Sequence, residues 1–319
     1  MLSETAIIKH LTKESNGFVG DDAAVLPILN SEQYVITKDL LIEGIHFRSY
    51  FEPEDLAHKA LHVNLSDLAA MGATPKYILC GISIPIVRGE YGQAFLDHLL
   101  HACKRTKTVL IGGDTTKSPD KFYISITAIG TSPPHLVKYR NGAQDRDVIC
   151  VAGHLGWAHL GLMSLEKNTN VSVQYKNAFL RPNAKIEEGI WLGRQSYVTS
   201  MIDISDGLYI DLKHLCDISD VGGIIDLEKL EQDVEFENSC NFLTMDPLNV
   251  VLTGGEDYSL LFTVRSNYFN DLTHRFRDAF GYMPRAIGHV VSNSGVAFRK
   301  SDEFVELKLK PFTHFGESV

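Results

Sequence analysis

Strand-like and helix-like segments alternate along most of this chain, and this alternation restricts the possible folds more than any other feature. Residues 34–37 are short and β-branched, which predicts a strand. Residues 53–71 predict a helix, because Pro53 suits a first turn and Gly72 follows the last apolar residue. Residues 77–84 predict a buried strand, and the pattern continues downstream. The chain is therefore expected to adopt an α/β or α+β fold.

A break in the pattern divides the chain into two predicted domains. Pro133 and Pro134 interrupt the alternation, and a new strand is predicted from residue 147 to 152. We place the boundary there, which gives an N-terminal domain of residues 1–147 and a C-terminal domain of residues 148–319. Each is long enough to bury its own core.

Charge and cysteine content exclude several classes of protein. The formal net charge is −10 and the pI is about 5.7, which disfavours a nucleic-acid partner because neutralising a phosphate backbone needs a basic face. The five cysteines are scattered without a C-x-x-C pair, which predicts free thiols in a reducing compartment. We find neither a signal-peptide pattern nor an apolar run of about 18 residues, so we expect a cytoplasmic protein with no membrane partner.

Acidic residues recur beside glycines and at predicted strand ends, and they are the main indication of function. An aspartate next to glycine is most often a turn or capping residue, and Asp203 or Ser205 could simply cap the helix predicted after Gly207. The acidic motifs begin at the following positions: Gly20, Thr37, Asn64, Gly112, Asp203 and Gly254.

Asp67 is the hardest of these residues to explain as a turn. It lies in the apolar run of a predicted helix, where aspartate is unfavourable, and Asn64 occupies the same helical face three residues earlier. A buried carboxylate and amide need partners. The partner of Asp67 is either a salt-bridging side chain or a cation shared with other carboxylates.

Carboxylates at strand ends tend to converge on one edge of a sheet, where they repel one another unless cations intervene. Oxygen ligands of this kind suit Mg²⁺ bound together with phosphates. The set therefore predicts a site in which several Mg²⁺ ions hold a polyphosphate. The P-loop, dinucleotide-binding and protein-kinase motifs are absent from the sequence, so a kinase of this type uses a different fold.

At these motifs the sequence resembles the bacterial thiamine-monophosphate kinases, a family of the aminoimidazole-ribonucleotide-synthetase-like superfamily. The similar segments follow the family order over nearly the whole chain: GDDAA at 20–24, GIHF at 44–47, NLSDLAAMGA at 64–73, GGDTT at 112–116, RNGA at 140–143, LRP at 180–182, DISDGL at 203–208, GGEDY at 254–258 and FTHF at 312–315.

The resemblance implies two α/β domains and a homodimer built through the N-terminal sheets, with ATP in a cleft near the dimer interface. The N-terminal domain would bind ATP and Mg²⁺, and the C-terminal domain would complete the active site. By position in the family motifs, the implied Mg²⁺ ligands are Asp22, Thr37, Asp39, Asp67, Asp114, Asp203 and Asp206. The implied ATP contacts are Gly113, Asp114, Arg140 and Ser205, and the implied substrate contacts are His46, Glu256 and Phe312. Catalysis would act through the metal held by Asp67, Asp114 and Asp203.

Two departures from the family pattern affect these assignments. Lys38 stands where the family usually has a hydroxyl residue, so its cation either replaces one metal ion or repels it, and the number of metal ions stays open. Leu309 occupies one expected place of the aromatic residue that covers the substrate, which moves that role to Phe312. Read without the family, His46 and Arg140 are ordinary surface residues, and Glu256 is a turn residue.

The expected activity is direct in-line transfer of the γ-phosphoryl group of ATP to thiamine monophosphate, which gives thiamine diphosphate. A phosphate acceptor is already ionised near neutral pH, so no covalent nucleophile or strong base is needed. Two alternatives stay open. The first is another ATP-using enzyme of the superfamily, of the aminoimidazole ribonucleotide synthetase type or of the "selenide, water dikinase" type. The second is a non-catalytic scaffold that binds nucleotide and metal.

Overall fold

The computed structural model describes residues 21–27 and 32–309, which form two sheets flanked by helices. The strands are β1 Ala24–Pro27, β2 Gln33–Ile42, β3 Thr74–Pro85, β4 Val109–Ser118, β5 Tyr123–Ser132, β6 Val148–Ala152, β7 Val198–Ile204, β8 Gly222–Asp226, β9 Ser259–Val264, β10 Arg285–Val291, β11 Gly295–Lys300 and β12 Glu303–Val305. The α-helices are α1 Pro53–Ala70, α2 Gly89–Thr106, α3 Trp157–Glu166, α4 Val173–Leu180, α5 Ile186–Gly193, α6 Leu208–Ser219, α7 Val234–Phe242, α8 Pro247–Thr253 and α9 Phe269–Phe280.

The N-terminal sheet has five strands in the order β1-β2-β5-β3-β4. Its pairs are antiparallel except β3 with β4, which are parallel and joined through α2. Because side chains alternate between the faces of a strand, Val35, Thr37, Asp39 and Leu41 of β2 point toward α1. Lys38 and its even-numbered neighbours point to the side of the sheet opposite α1, and we call this side the outer face.

A bulge in β4 changes the direction of the glycine-rich motif. Leu110 pairs with Ile78, but Gly112 pairs with Leu79, so Ile111 is an extra residue in the ladder. One extra residue reverses the alternation beyond it. The GGDTT motif, whose acidic residue looks like a turn residue beside glycine, lies inside β4, on the edge of the sheet.

The C-terminal sheet has seven strands in the order β12-β11-β8-β10-β6-β9-β7. It is antiparallel except for β8 with β11. Ile149, Ile202, Leu212 and Leu261 belong to its largest buried cluster. The last strand of the N-terminal sheet ends at Ser132 and β6 begins at Val148, so the expected two-domain α/β architecture is confirmed. The exact boundary at residue 147 stays a prediction.

Helix α1 joins the two units. Its C-terminal residues Ala69 and Ala70 belong to a buried cluster that includes Cys150 and Leu260 of the second sheet. Gly189 of α5 packs so closely that a Cβ atom there would lie 2.1 Å from the Ala69 carbonyl oxygen. The polar residues of α1 are thereby fixed at the junction between the sheets. Over the described range, none of the helices combines the length and the apolar character that crossing a bilayer requires.

Candidate active site

Three carboxylates from distant parts of the chain meet at this junction. Asp22 precedes β1, Asp67 lies near the end of α1, and Asp203 lies near the end of β7. Each offers one oxygen atom, and these oxygens lie within 4.8 Å of one another. Asp203 belongs to a strand and does not cap α6, so the simple capping interpretation does not apply to it.

Burial and mutual repulsion disfavour the charged forms of these groups. The pKa of Asp67 is raised well above its usual value by burial first, and then by Asp39, Asp203 and Asp22. The pKa of Asp203 is likewise raised by burial first, and then by Asp22. Hydroxyl groups compensate only in part: Thr37 Oγ1 donates to Asp67 Oδ2 at 2.5 Å, and Ser66 Oγ donates to Asp203 Oδ2 at 2.6 Å.

The described residues include no lysine or arginine in a salt bridge with Asp67, whereas other acidic residues of the site are paired in this way. The salt-bridge explanation for this buried aspartate therefore lacks support. Convergent carboxylate oxygens, with a hydroxyl oxygen beside them, are the donor set that Mg²⁺ prefers. The residues present thus fit a divalent cation held by Asp22, Asp67 and Asp203.

Asn64 has a structural partner on each side. Its Oδ1 accepts from the Asp39 backbone N–H at 3.0 Å, and its Nδ2 donates to the Ala60 carbonyl oxygen at 3.0 Å. The amide therefore ties α1 to β2 and sets the position of Asp39 beside the cluster. Burial raises the pKa of Asp39 to about 6. Its charge also raises the pKa of Asp67, so this carboxylate lies close enough to the cluster to be a further candidate ligand.

Arg140 lies against the cluster. Its guanidinium donates to both oxygens of Asp22, from Nε at 3.1 Å and from Nη2 at 2.7 Å, and its backbone N–H donates to Asp21 Oδ1 at 2.7 Å. Burial by itself would lower the pKa of Arg140, but the charge and hydrogen bonds of Asp22, together with the charges of Asp203 and Asp211, raise it above its usual value. A predicted ATP contact and a predicted metal ligand are thus bonded to each other here.

Asp67 and Asp203 of this cluster line a cavity of about 110 Å³, and Asp22 lies beside them. His46 and Glu256, the predicted substrate contacts, line this cavity with Asp39, Asp67, Asp203 and Ser205. Its remaining lining residues are Leu40, Leu41, Lys59, Val63 and Tyr258. The His46 ring accepts from the Ile42 N–H through Nδ1 at 3.0 Å, which fixes the orientation of the ring.

Asp211 organises the loop that carries Ser205 and Asp206. Its Oδ2 accepts the backbone N–H groups of Ser205, Asp206 and Gly207, each at 3.1 Å. One carboxylate thereby satisfies three donors at the start of α6. Asp206 lies in this loop, but the tight group of Asp22, Asp67 and Asp203 does not include it.

The 254–258 segment packs onto the same loop. A Cβ atom at residue 255 would lie 2.5 Å from the Ser205 carbonyl oxygen, so glycine is needed for this close approach. Glu256 adopts a left-handed backbone conformation with φ 66° and donates its N–H to the Ser205 carbonyl oxygen at 2.7 Å. Its neighbour Asp257 is structural, because it accepts the Gly156 and Ala158 N–H groups at the start of α3.

Asp114 does not join the cluster within one chain. It pairs with Gly81 on the outer face of edge strand β4, three strands from β2, which corresponds to about 14 Å. Gly113 lies beside it. Lys38 also points to the outer face, where its Nζ donates to Ser125 Oγ at 2.6 Å. Phe312 lies outside the described residues, and Leu309 packs against the C-terminal core.

Sequence reasoning missed three residues that build this site: Lys59, Ser66 and Asp211. Lys59 had a usable signal, because it lies eight residues before Asp67 and therefore close to the same helical face. Ser66 and Asp211 look like ordinary helical residues, and only their distant partners reveal their roles.

Comparison with known proteins agrees with this arrangement. Residues 20–132 match the family model described as AIR synthase related protein, N-terminal domain. The Escherichia coli K12 thiamine-monophosphate kinase is 36% identical over 315 residues, which cover 93% of this chain and 91% of that protein. This chain belongs to the thiamine-monophosphate kinase family. The Haemophilus influenzae member is 36% identical over 265 residues, which cover 81% of this chain and 78% of that protein.

A solved structure of the family has the same fold. The protein named AaThiL, complexed with AMPPCP and TMP, matches with a TM-score of 0.86 and 31% identity over 98% of this chain and 97% of that one. The expected family and fold are therefore confirmed. The roles of the individual site residues stay predictions.

Proposed function

We propose that this chain transfers the γ-phosphoryl group of ATP to thiamine monophosphate, with ADP and thiamine diphosphate as products. The observation that carries this proposal is the meeting of Asp22, Asp67 and Asp203 beside a cavity that Asp67 and Asp203 line, in a chain 36% identical to a named thiamine-monophosphate kinase. The AaThiL complex with an ATP analogue and TMP supports the same pair of substrates.

The residues of the site suit direct transfer between two anions. The acceptor phosphate is ionised near neutral pH because its second pKa is about 6, so no side chain has to remove a proton. Asp22, Asp67 and Asp203 would hold Mg²⁺, which would supply neutralisation of the phosphate charges when bound. Asp39, Thr37 and Asp206 are further candidate ligands.

Arg140 and Ser205 are proposed to hold the nucleotide. The Arg140 guanidinium lies beside Asp22, and its planar set of donors suits bidentate binding of a phosphate. Ser205 lines the cavity on a loop that Asp211 fixes from behind. His46 and Glu256 line the same cavity and are proposed to contact the vitamin, together with Phe312.

We propose that the protein is a homodimer joined through the outer face of the N-terminal sheet. This face exposes a set of large apolar side chains: Tyr34, Leu40, Tyr77, Leu79 and Val109. Asp114 lies on the same face, and so does Lys38. Asp114 of one copy would then complete the site of a second copy, which accounts for its distance from β2 of its own chain.

The activity test measures ADP release with ATP, Mg²⁺ and thiamine monophosphate, compared with the same mixture without acceptor. Release that depends on the acceptor, with thiamine diphosphate formed in equal amount, is expected. Release without an acceptor, or none at all, would contradict the proposal and would favour another enzyme of the superfamily or a non-catalytic scaffold.

The dimer test mixes two inactive variants, Asp67→Asn and Asp114→Asn, after dissociation and reassociation. If each site uses Asp67 of one copy and Asp114 of the other, about a quarter of wild-type activity returns, because half of the dimers are mixed and each has one intact site. No recovery, with mixed dimers shown to form, would exclude a shared site. Val109→Asp is expected to yield monomers.

The five cysteines are free and buried, which supports a reducing compartment, and we propose the cytoplasm.

A further inference from the structure

Helix α1 lines the cavity with a single stripe of residues. Lys59, Val63 and Asp67 follow one another at four-residue spacing, and all three face the cavity. The rise of an α-helix places Lys59 about 12 Å from Asp67 along the axis. The cavity therefore has the acidic cluster at one end and Lys59 at the other.

The Lys59 ammonium is buried and already engaged. Its side chain is 1% exposed, and its Nζ donates to the Phe179 carbonyl oxygen at 3.0 Å and pairs with Glu256 Oε1 at 3.1 Å. It also lies 3.8 Å from the centroid of the Phe179 ring. An ammonium group has three N–H donors, and the Phe179 carbonyl oxygen, the Glu256 carboxylate and the Phe179 ring already surround this one. Lys59 is thus placed to hold Glu256 and is poorly placed to bind a phosphate.

Glu256 is held from two sides. Its backbone is fixed in a left-handed conformation by the Ser205 carbonyl oxygen, and its carboxylate is fixed by Lys59. Its side chain is 25% exposed and lines the cavity, so part of the carboxylate faces the space that a ligand would fill. The left-handed backbone of Glu256 is retained because the contacts with Ser205 and Lys59 hold the residue in place.

We propose that Lys59 is a positioning residue for acceptor recognition. Its ion pair directs the Glu256 carboxylate into the end of the cavity opposite Asp67. There, the carboxylate binds the positively charged, hydrogen-bond-donating ring part of the acceptor, while the acceptor phosphate lies toward Asp67. This inference rests on the proposed function, since it assigns one end of the same cavity to the organic part of the acceptor.

The test compares Lys59→Met, Glu256→Gln and the double variant by steady-state kinetics, with Lys104→Met on the exposed side of α2 as the matched control. We expect either single change to raise the acceptor KM about tenfold, because one buried charged contact is lost. The ATP KM and the affinity for AMPPCP measured by calorimetry stay within about twofold. The double variant should be no worse than the poorer single variant, because the two residues act as a pair.

A purely structural role for Lys59 predicts a different result. The acceptor KM, the ATP KM and the AMPPCP affinity would then change together with the melting temperature, which would overturn the inference, as would an unchanged acceptor KM in both single variants. If Lys59→Met does not fold, the kinetic comparison uses Glu256→Gln and the double variant. In neither of these does the Glu256 carboxylate remain without the Lys59 ammonium. Wild-type protein that fails to phosphorylate thiamine monophosphate refutes the proposed function, whereas active wild type with unchanged variants refutes this inference alone.

Discussion

Replacing Asp39 by asparagine is expected to stabilise the metal-free protein and to impair its function. Burial raises the pKa of this carboxyl from 3.8 to about 6. A tenfold change in a protonation equilibrium corresponds to about 1.4 kcal/mol, so the charged form costs the folded state about 3 kcal/mol. Asparagine has nearly the same shape without the charge, and it also removes one source of repulsion on Asp67.

The sign of the pH dependence follows from the raised pKa. Between about pH 4 and pH 6, the folded protein retains a proton on Asp39 that the unfolded chain has already released. The free energy of unfolding therefore falls as the pH rises through this window and stays reduced above it. The asparagine variant lacks this loss, so its advantage should be about 3 kcal/mol at pH 7.5 and close to zero at pH 4.

Urea unfolding with a chelator at both pH values measures this difference directly. Asp278→Asn, which removes a carboxylate whose side chain is 76% exposed, is the control and should change stability by less than about 0.5 kcal/mol. Adding Mg²⁺ should stabilise the wild type more than the Asp39→Asn variant, because a cation relieves the cost that asparagine has already removed. Equal stability of wild type and variant at pH 7.5, or a gain that does not depend on pH, would refute the reasoning.

Three further changes test the site and its supports. Asp67→Asn should reduce turnover at least about a hundredfold without lowering the urea midpoint, because it removes a cluster carboxylate but keeps the shape; near-normal turnover would remove the metal assignment. Burial, His58 and Arg105 lower the pKa of His62 to about 3 in the folded state, so the wild type should lose about 2 kcal/mol of unfolding free energy between pH 6.5 and pH 5. The His62→Gln variant should not show this loss, and an equally steep pH profile in the variant would contradict the reasoning. Asp211→Ala should lower the free energy of unfolding by about 2 kcal/mol or more and raise the ATP KM, because three backbone N–H groups lose their acceptor. Unchanged urea and kinetic profiles would show that the loop keeps its conformation without Asp211.

Local pattern was sufficient for much of the architecture. The helix predicted at 53–71 is α1, and the strand predicted at 77–84 lies within β3. The unusual position of Asp67 in an apolar helix indicated a buried polar site, and the structure places it with Asp22 and Asp203. Such features depend on neighbours in the sequence, since periodicity and helix-end preferences act over a few residues.

The sequence by itself determined which segments are helices and strands, the two-domain α/β class and the residue types available for binding a cation. Only the tertiary structure decided which of them meet. The bulge at Ile111 turns Asp114 to the outer face, Arg140 pairs with Asp22, and Lys59 pairs with Glu256. These outcomes depend on strand register and on packing between segments far apart in the chain, and one residue of register moves every following side chain to the opposite face of a sheet.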